Sequence, residues 1–404
     1  MGDTPRSGHP TWALWLAYLS GGFGLAMFAQ VSFIVPLRAR ELGASFDVIG
    51  VLVGAGALTP AVLAVPLGAV VDRLGPKRAF VLGTGGAAAT WALYLLVTGY
   101  WWFLPLQLVI GATFSLGWVA SQSYVTSIGP PEDRPRHTGR FSFFSNVGSM
   151  VGPILLGGAA QVLGFRLAFL VPVVYCVAFT VIGVTLRDMR PPGQIATRQG
   201  AGLASALQLL TIRGIRIALL LTFARLWTAL VFTAYFPVFL VEEGFEPGLA
   251  GTVMAASGLV AAVTAPTSGV LTRLASAQVV TIVSLVGAAA GLVVAPHVTG
   301  ALTAFIPSIL IGIGRGISLP LLLSMVTGAA PADKFGVALG LRDMVNQIAS
   351  TLAPVAVGPM ITALGMLLGF TTGGVLAGGV LAVASALHVA DRRRGSAHTA
   401  GGEP

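Results

Sequence analysis

The chain has 404 residues, 55% of them hydrophobic and only 9% charged, with a formal net charge of +9. A soluble domain carries about 25% charged residues, so this composition cannot clothe a water-facing surface and excludes a soluble globular protein. The positive balance does not indicate nucleic acid either, because the basic residues are scattered between apolar runs with no basic stripe interleaved with aromatics.

A membrane-crossing helix needs about 20 mostly apolar residues. In chain order the sequence offers twelve such segments: 11–37, 46–71, 78–99, 101–126, 139–163, 165–186, 214–240, 247–272, 277–296, 299–327, 336–363 and 366–390. The expected fold is all-α and integral to a membrane. The first segment is too long for a signal-peptide core and is read as a retained helix. The expected organisation is a cytoplasmic N-terminus (1–10), a six-helix bundle (11–186), a cytoplasmic central loop (187–213), a second six-helix bundle (214–390) and a cytoplasmic tail (391–404). The central loop holds Pro191, Pro192, Gly193 and Gln194, and 203–212 is patterned as an amphipathic helix. The tail after Arg392-Arg393-Arg394 reads as disordered. Cys176, the only cysteine, lies in an apolar run and excludes an intramolecular disulfide. No metal and no cofactor are expected.

Orientation follows from the bias of Lys and Arg toward the cytoplasm. Seventeen basic residues fall on one side of the twelve-span topology, from Arg6 through Arg73, Lys77 and Arg78 to Arg392–Arg394. Only Arg38, Arg40 and Arg166 fall on the other. Both termini are therefore expected in the cytoplasm. An odd number of spans would destroy this segregation.

The two halves are copies. With a shift of 201 residues, Pro130-Pro131-Glu132-Asp133 falls on Pro331-Ala332-Asp333-Lys334, Gly139 on Gly340, Pro153 on Pro354 and Gly157 on Gly358. Several coincidences in one register argue for duplication of a six-helix unit, giving two pseudo-symmetric bundles.

Between the second and third spans stands Gly68-Ala69-Val70-Val71-Asp72-Arg73-Leu74-Gly75-Pro76-Lys77-Arg78. Its pattern, Gly-x3-Asp-Arg-x-Gly-x-Lys-Arg, resembles the loop between the second and third helices of major facilitator superfamily transporters. The resemblance implies an inner gate made by Gly68, Asp72, Arg73, Gly75, Lys77 and Arg78, closing on the start of the eleventh span near Gly336–Gly340; Arg342 and Asp343, just beyond, read as part of that gate or as interfacial residues. The other reading is that the basic residues only set topology. The second copy, Ser268-Gly269-Val270-Leu271-Thr272-Arg273, has lost the acid. In the fifth span, Gly148-x3-Gly152-Pro153-x3-Gly157-Gly158 is similar to the glycine–proline signature of proton-linked exporters in that superfamily. These five residues are expected to form a hinge or, alternatively, a close helix-packing seam.

Ionisable residues within a span mark function by default, because burying them is costly. Arg225 and Arg315 lie deep in spans 7 and 10, and Arg342 and Asp343 lie nearer the edge of span 11. The expected substrate-binding set is Arg225, Arg315, Gln30, Trp118, Gln122, Asn146, Trp227, Tyr235 and Asn346. Each polar or aromatic member could instead make an interhelical hydrogen bond or sit at the membrane interface. Two deep arginines without partner acids favour an anionic or zwitterionic substrate; the other reading is that a lone arginine binds backbone carbonyls. Many proton-coupled exporters of the family carry an acid in the first or fourth helix, and often an arginine four residues before a glycine in the fourth. Here Gln107 stands before Gly111, and Asp343 and Asp72 are the remaining candidate proton carriers.

An enzyme is not expected, since the sequence has no His-Glu-x-x-His and no pair of acids inside the spans. An ATP-driven pump is not expected, since it lacks a Gly-x4-Gly-Lys-Ser/Thr loop. The resemblance implies a monomeric, multi-pass secondary transporter of the cytoplasmic (inner) membrane. Its partners would be the lipid bilayer, a small organic substrate and a coupled proton, exchanged by alternating access in the direction of efflux, with no nucleic acid. The alternatives are uptake or facilitated diffusion of a small organic anion, and a non-transporting receptor on the same fold.

Overall fold

The computed structural model describes residues 11–128, 134–186, 208–331 and 334–400, and all regular structure among them is helical. The helices are α1 (Thr11–Leu19), α2 (Gly21–Glu41), α3 (Phe46–Leu74), α4 (Pro76–Tyr94), α5 (Phe103–Thr126), α6 (Arg134–Ala168), α7 (Leu170–Thr185), α8 (Arg213–Glu242), α9 (Pro247–Thr264), α10 (Ser268–Leu271), α11 (Ala277–Val294), α12 (Phe305–Ala329) and α13 (Phe335–Ala400). Among the described residues, nine helical segments are long and apolar enough to cross a membrane, one of them 53 residues long. In lipid each backbone amide needs a partner within the protein, and a helix supplies one locally. Large apolar side chains point outward, Val62, Val162 and Leu274 among the most exposed. Apolar residues thus cover the exterior as well as fill the core, which suits a lipid surface.

The chain divides into two compact units. The first comprises Met1–Ala196 with Pro237–Gly258, and the second Thr197–Phe236 with Leu259–Pro404. In the first unit α2 packs on α6, α4 on α5 and α7, and α3 on α5. Its core holds a ring cluster in which Tyr94 contacts Trp91, Phe103 and Phe169 at centroid separations of 5.1, 5.0 and 5.1 Å. The Trp91 indole N–H donates to Met27 Sδ at 3.3 Å, and buried Cys176 lies 3.7 Å from the same sulfur. In the second unit α11 packs on α12 and α13. There the Trp227 Nε1–H donates to the Gly373 carbonyl at 3.0 Å, and the Tyr235 hydroxyl to the Pro354 carbonyl at 2.5 Å, tying α8 to α13.

The duplication reappears in the backbone at the same interval of 201 residues. Gly43 and Gly244 both have positive φ, +88° and +85°. Each ends its helix by the same pair of hydrogen bonds. Gly43 N–H reaches Arg40 O and Ala44 N–H reaches Ala39 O, while Gly244 N–H reaches Val241 O and Phe245 N–H reaches Leu240 O. This is the Schellman arrangement, which favours glycine at the left-handed position. Gly164 and Gly365, at φ +79° and +80°, break α6 and α13 at matching points. Each marks the passage between two expected spans through a single non-helical residue.

Some boundaries differ from the hydropathy reading. Span 5 begins at Arg134 rather than 139, and span 10 begins at Phe305 rather than 299. In the latter case Thr303 Oγ1 accepts from the amides of Thr299 and Gly300, holding a turn that hydropathy cannot register. The expected span 247–272 bends through Ala265-Pro266-Thr267, where proline removes a helical donor. Helix α13 runs to Ala400, past the expected end at 390. Of the expected 203–212 helix, residues 203–207 lie outside the described residues, and Gln208 and Leu209 are helical before a turn.

Candidate functional site

In the first unit, Gly75 ends α3 and caps α4 with φ +81°, and Pro76 occupies the first turn of α4. Both choices follow from backbone chemistry: glycine tolerates the left-handed position and proline needs no donor at a helix start. Asp72 and Arg73 are exposed at the end of α3, as is Arg78 at the start of α4, and Lys77 is half-buried. A Cβ on Gly68 would meet nothing within 4 Å.

The glycine–proline segment is a packing seam. A Cβ on Gly148 would come 2.6 Å from the Gly22 carbonyl oxygen, and one on Gly152 would come 3.1 Å from Gln30 Cγ, so α6 lies close along α2. Further along, Gly157 abuts the Pro247 carbonyl and Gly251 abuts the Pro153 carbonyl, bringing α6 and α9 into backbone contact. Gly158 faces open space. The loop ends near this seam carry polar ties: Arg40 Nε pairs with Glu242 Oε1 at 2.5 Å, and Gln161 Nε2 donates to Glu246 Oε2 at 2.7 Å.

Gln30 is fully buried, and neither its amide oxygen nor its nitrogen has a hydrogen-bond partner. Gln107 is equally buried; its oxygen accepts from the Tyr94 hydroxyl at 3.3 Å while its nitrogen is unsatisfied. A buried unpaired polar atom costs about 1–3 kcal/mol, so two such amides inside apolar helices are conspicuous. Trp118 lies against Gly24 and, at 5.6 Å, the Phe141 ring. Gln122 is exposed, and Asn146 is exposed with its Nδ2 donating to Ser142 O at 2.9 Å.

The second unit gathers the charged candidates. Arg225 stands twelve residues into α8 and Arg315 fourteen residues from the end of α12 at Ala329. At 1.5 Å per residue those positions lie about 18 and 21 Å along their helices. Arg342, seven residues into α13, lies about 10 Å along. The three helix ends share one face: residues 330–334 join α12 to α13, and Lys334 Nζ donates to Gln208 Oε1 just before α8. Arg225 lies in the electrostatic field of both Arg315 and Arg342. Its Nε is buried without a hydrogen-bond partner, as is Nε of Arg342. Arg342 reads from sequence as interfacial, yet it is only 7% exposed. Its NH1 lies 3.5 Å from Asp343 Oδ1, whose side chain is 70% exposed. Asn346 Nδ2 donates to the same carboxylate oxygen at 3.3 Å, leaving its own Oδ1 buried and unpartnered. Gly314 and Gly316 press α12 against Ser284 and Ala288 on one side and Ala261 and Thr264 on the other, fixing the height of Arg315. Trp227 and Tyr235, expected at the substrate, donate to backbone carbonyls as described above.

Sequence reasoning missed one polar cluster in the first unit. The Tyr18 hydroxyl and His137 Nδ1 lie 2.6 Å apart, and the Arg140 guanidinium sits 5.7 and 5.4 Å from the Trp15 and Tyr18 rings. His137 reads as a loop residue until α6 is seen to begin at Arg134.

Apolar helices with lipid-suited exteriors, interior arginines and unsatisfied interior amides define a multi-pass helical membrane protein. The sequence pattern of the Major Facilitator Superfamily matches residues 14–354, and the chain belongs to that family. It is 27% identical over 167 residues to the staphylopine export protein of Staphylococcus aureus, covering 40% of this chain and 41% of that one. It is 32% identical over 121 residues to the class C tetracycline resistance protein of Escherichia coli, covering 30% of each. The chain thus spans well under half the length of these relatives. Among solved structures it superposes on the nucleoside transporter NupG with a TM-score of 0.79 at 13% identity, covering 94% of this chain and 99% of that one. It superposes on a bacterial homolog of the human lysosomal transporter Spinster with a TM-score of 0.77 at 16% identity, covering 96% and 97%. At these identities the likeness shows the fold.

Proposed function

We propose that this protein is a secondary transporter that exports a small organic molecule across the cytoplasmic membrane by alternating access, coupled to protons. The observation that carries the reading is the set of buried polar groups left unsatisfied inside membrane-spanning helices: both amide atoms of Gln30 and the Nε atoms of Arg225 and Arg342. Such groups are expensive in a bilayer and mark a ligand or ion path. The family membership and the names of the relatives, an export protein and a resistance protein, support transport and favour efflux. The charge segregation of the sequence supports twelve spans in two six-helix halves with cytoplasmic termini. In this reading the protein works as a monomer, Asp72 is the inner latch, the seam at Gly148–Gly158 carries hinge motion, and Asp343 is the coupling acid of span 11.

The test is flux in proteoliposomes enclosing a pH-sensitive dye, with tetracycline and a panel of small organic solutes as probes. A solute that drives proton movement in the wild type but not in Asp343→Asn supports coupled transport through that acid. Solute movement with unaltered proton movement in Asp343→Asn removes Asp343 from the coupling. Specific solute binding with no flux for any probe favours a receptor on the same fold.

A further inference from the structure

We propose that Arg225, Arg342 and Asn346 form a single recognition site for a small organic anion bearing an N–H or O–H donor beside its oxyanion, such as an α-amino or α-hydroxy carboxylate. The inference rests on the transporter reading and assigns the substrate class at that protein's second unit.

Charge balance is the first argument. The segments 214–240 and 336–363 contain Arg225 and Arg342 in their interiors but one acid, Asp343. That acid is mostly exposed and lies 3.5 Å from Arg342, too far for a strong charge-assisted bond. Buried charges need opposite charge and hydrogen-bond partners in good geometry. These segments hold no second carboxylate, and an anionic ligand would balance the charge of Arg225 and Arg342.

Unsatisfied atoms are the second argument, and they specify more than charge. Nε of Arg225 and Nε of Arg342 are buried donors without acceptors. Guanidinium groups match the planar, two-oxygen face of a carboxylate, and bind phosphate oxygens by the same fork. Asn346 Oδ1 is a buried acceptor without a donor. Its amide orientation is fixed by the Nδ2 contact to Asp343, because a flipped amide would set oxygen against oxygen. Arg342 and Asn346 stand four residues apart on one face of α13, so the ligand needs an acceptor for the guanidinium close to a donor for the asparagine. Asp343 is the internal competitor: when the oxyanion engages Arg342, the weak contact to Asp343 is released. This places ligand recognition and the one acid of the segment on the same guanidinium.

Rigidity is the third argument. Trp227 and Tyr235 lock α8 to α13 through backbone carbonyls on the C-terminal side of the Arg225 level. The approaches at Gly314 and Gly316 fix α12. A site whose helices are held in this way is preorganised rather than assembled by the ligand.

The test is ligand-dependent thermal stabilisation of the purified full-length protein in detergent. The probes are serine, malate, inorganic phosphate, serinamide and phosphatidylglycerol, titrated at constant ionic strength. Saturable stabilisation by serine or malate and none by serinamide is expected. Arg225→Gln and Arg342→Gln should weaken it about tenfold or more, the scale of one charge-assisted contact, and Asn346→Leu should weaken serine and malate binding as well, because the acceptor for the ligand's donor is lost. Arg225→Lys and Arg342→Lys serve if a glutamine variant does not fold, and should weaken binding because the bidentate fork is lost. The proposal is overturned if no probe stabilises the protein, if phosphatidylglycerol alone does so, if serinamide matches serine, or if the arginine variants bind like the wild type. Binding without flux in proteoliposomes would defeat the transporter reading and leave this site standing. Flux of neutral solutes without anion binding would do the opposite.

Discussion

At the scale of single residues, neighbours in sequence take opposite fates. Arg342 is buried and Asp343 exposed although they are adjacent, because successive helical residues point about 100° apart. Sequence reasoning places both at an interface, since it measures distance from a span end and not which side of the helix faces protein. The same limit applies to Tyr235 and Trp227, whose partners lie 119 and 146 residues away in the chain. Tyr235→Phe should lower stability by about 1 kcal/mol, the worth of one net hydrogen bond, read as a fall in the unfolding temperature with substrate affinity preserved. Affinity lost in a well-folded Tyr235→Phe protein would place the hydroxyl at the ligand instead. Asp72→Asn should insert and fold normally, because the side chain is exposed, yet transport more slowly; unchanged initial rates would remove it from the gate. Deep arginines, by contrast, are legible, because a charge inside an apolar run is conspicuous without any knowledge of partners.

At the scale of elements, hydropathy finds the helices and glycine chemistry explains where they end and touch. The breaks between expected spans 5 and 6 and between spans 11 and 12 are readable to within a residue or two, and Gly164 and Gly365 account for them. The bend at Ala265-Pro266-Thr267 and the late start of α12 are not readable, because proline is tolerated within membrane helices and a hydroxyl-held turn leaves no trace in average hydropathy. The glycines of the α6–α9 seam divide by what they touch. Gly251→Ala would drive a methyl into the Pro153 carbonyl, and should measurably lower the unfolding temperature and disturb the seam. Gly158→Ala meets no atom within 4 Å and should be neutral or stabilising by up to about 1 kcal/mol, since alanine restricts the unfolded chain. Equal losses at the two positions would mean that the seam is softer than its backbone contacts imply.

At the scale of the whole molecule, duplication is the organising fact, and it is visible in sequence only as a few matched glycines and prolines. The backbone extends that register to the Schellman ends at Gly43 and Gly244 and to the breaks at Gly164 and Gly365, positions where only a residue without a Cβ is unstrained. Gly164→Ala and Gly365→Ala should each cost about 1–3 kcal/mol, because φ near +80° with ψ of +162° and +168° is a backbone region open essentially to glycine alone. Because they lie in different compact units, their double variant should be additive to within about 0.5 kcal/mol in chemical denaturation. Marked non-additivity would mean that the two breaks respond to one another. The single-residue breaks have a practical corollary for anyone inserting a tag into this protein. Turns of one residue offer no slack for a grafted epitope, a protease recognition sequence or a biotinylated cysteine. Surface labelling at residues 164 and 365 should therefore fail or unfold the protein, whereas the wider connection at 297–304 should accept the same insert.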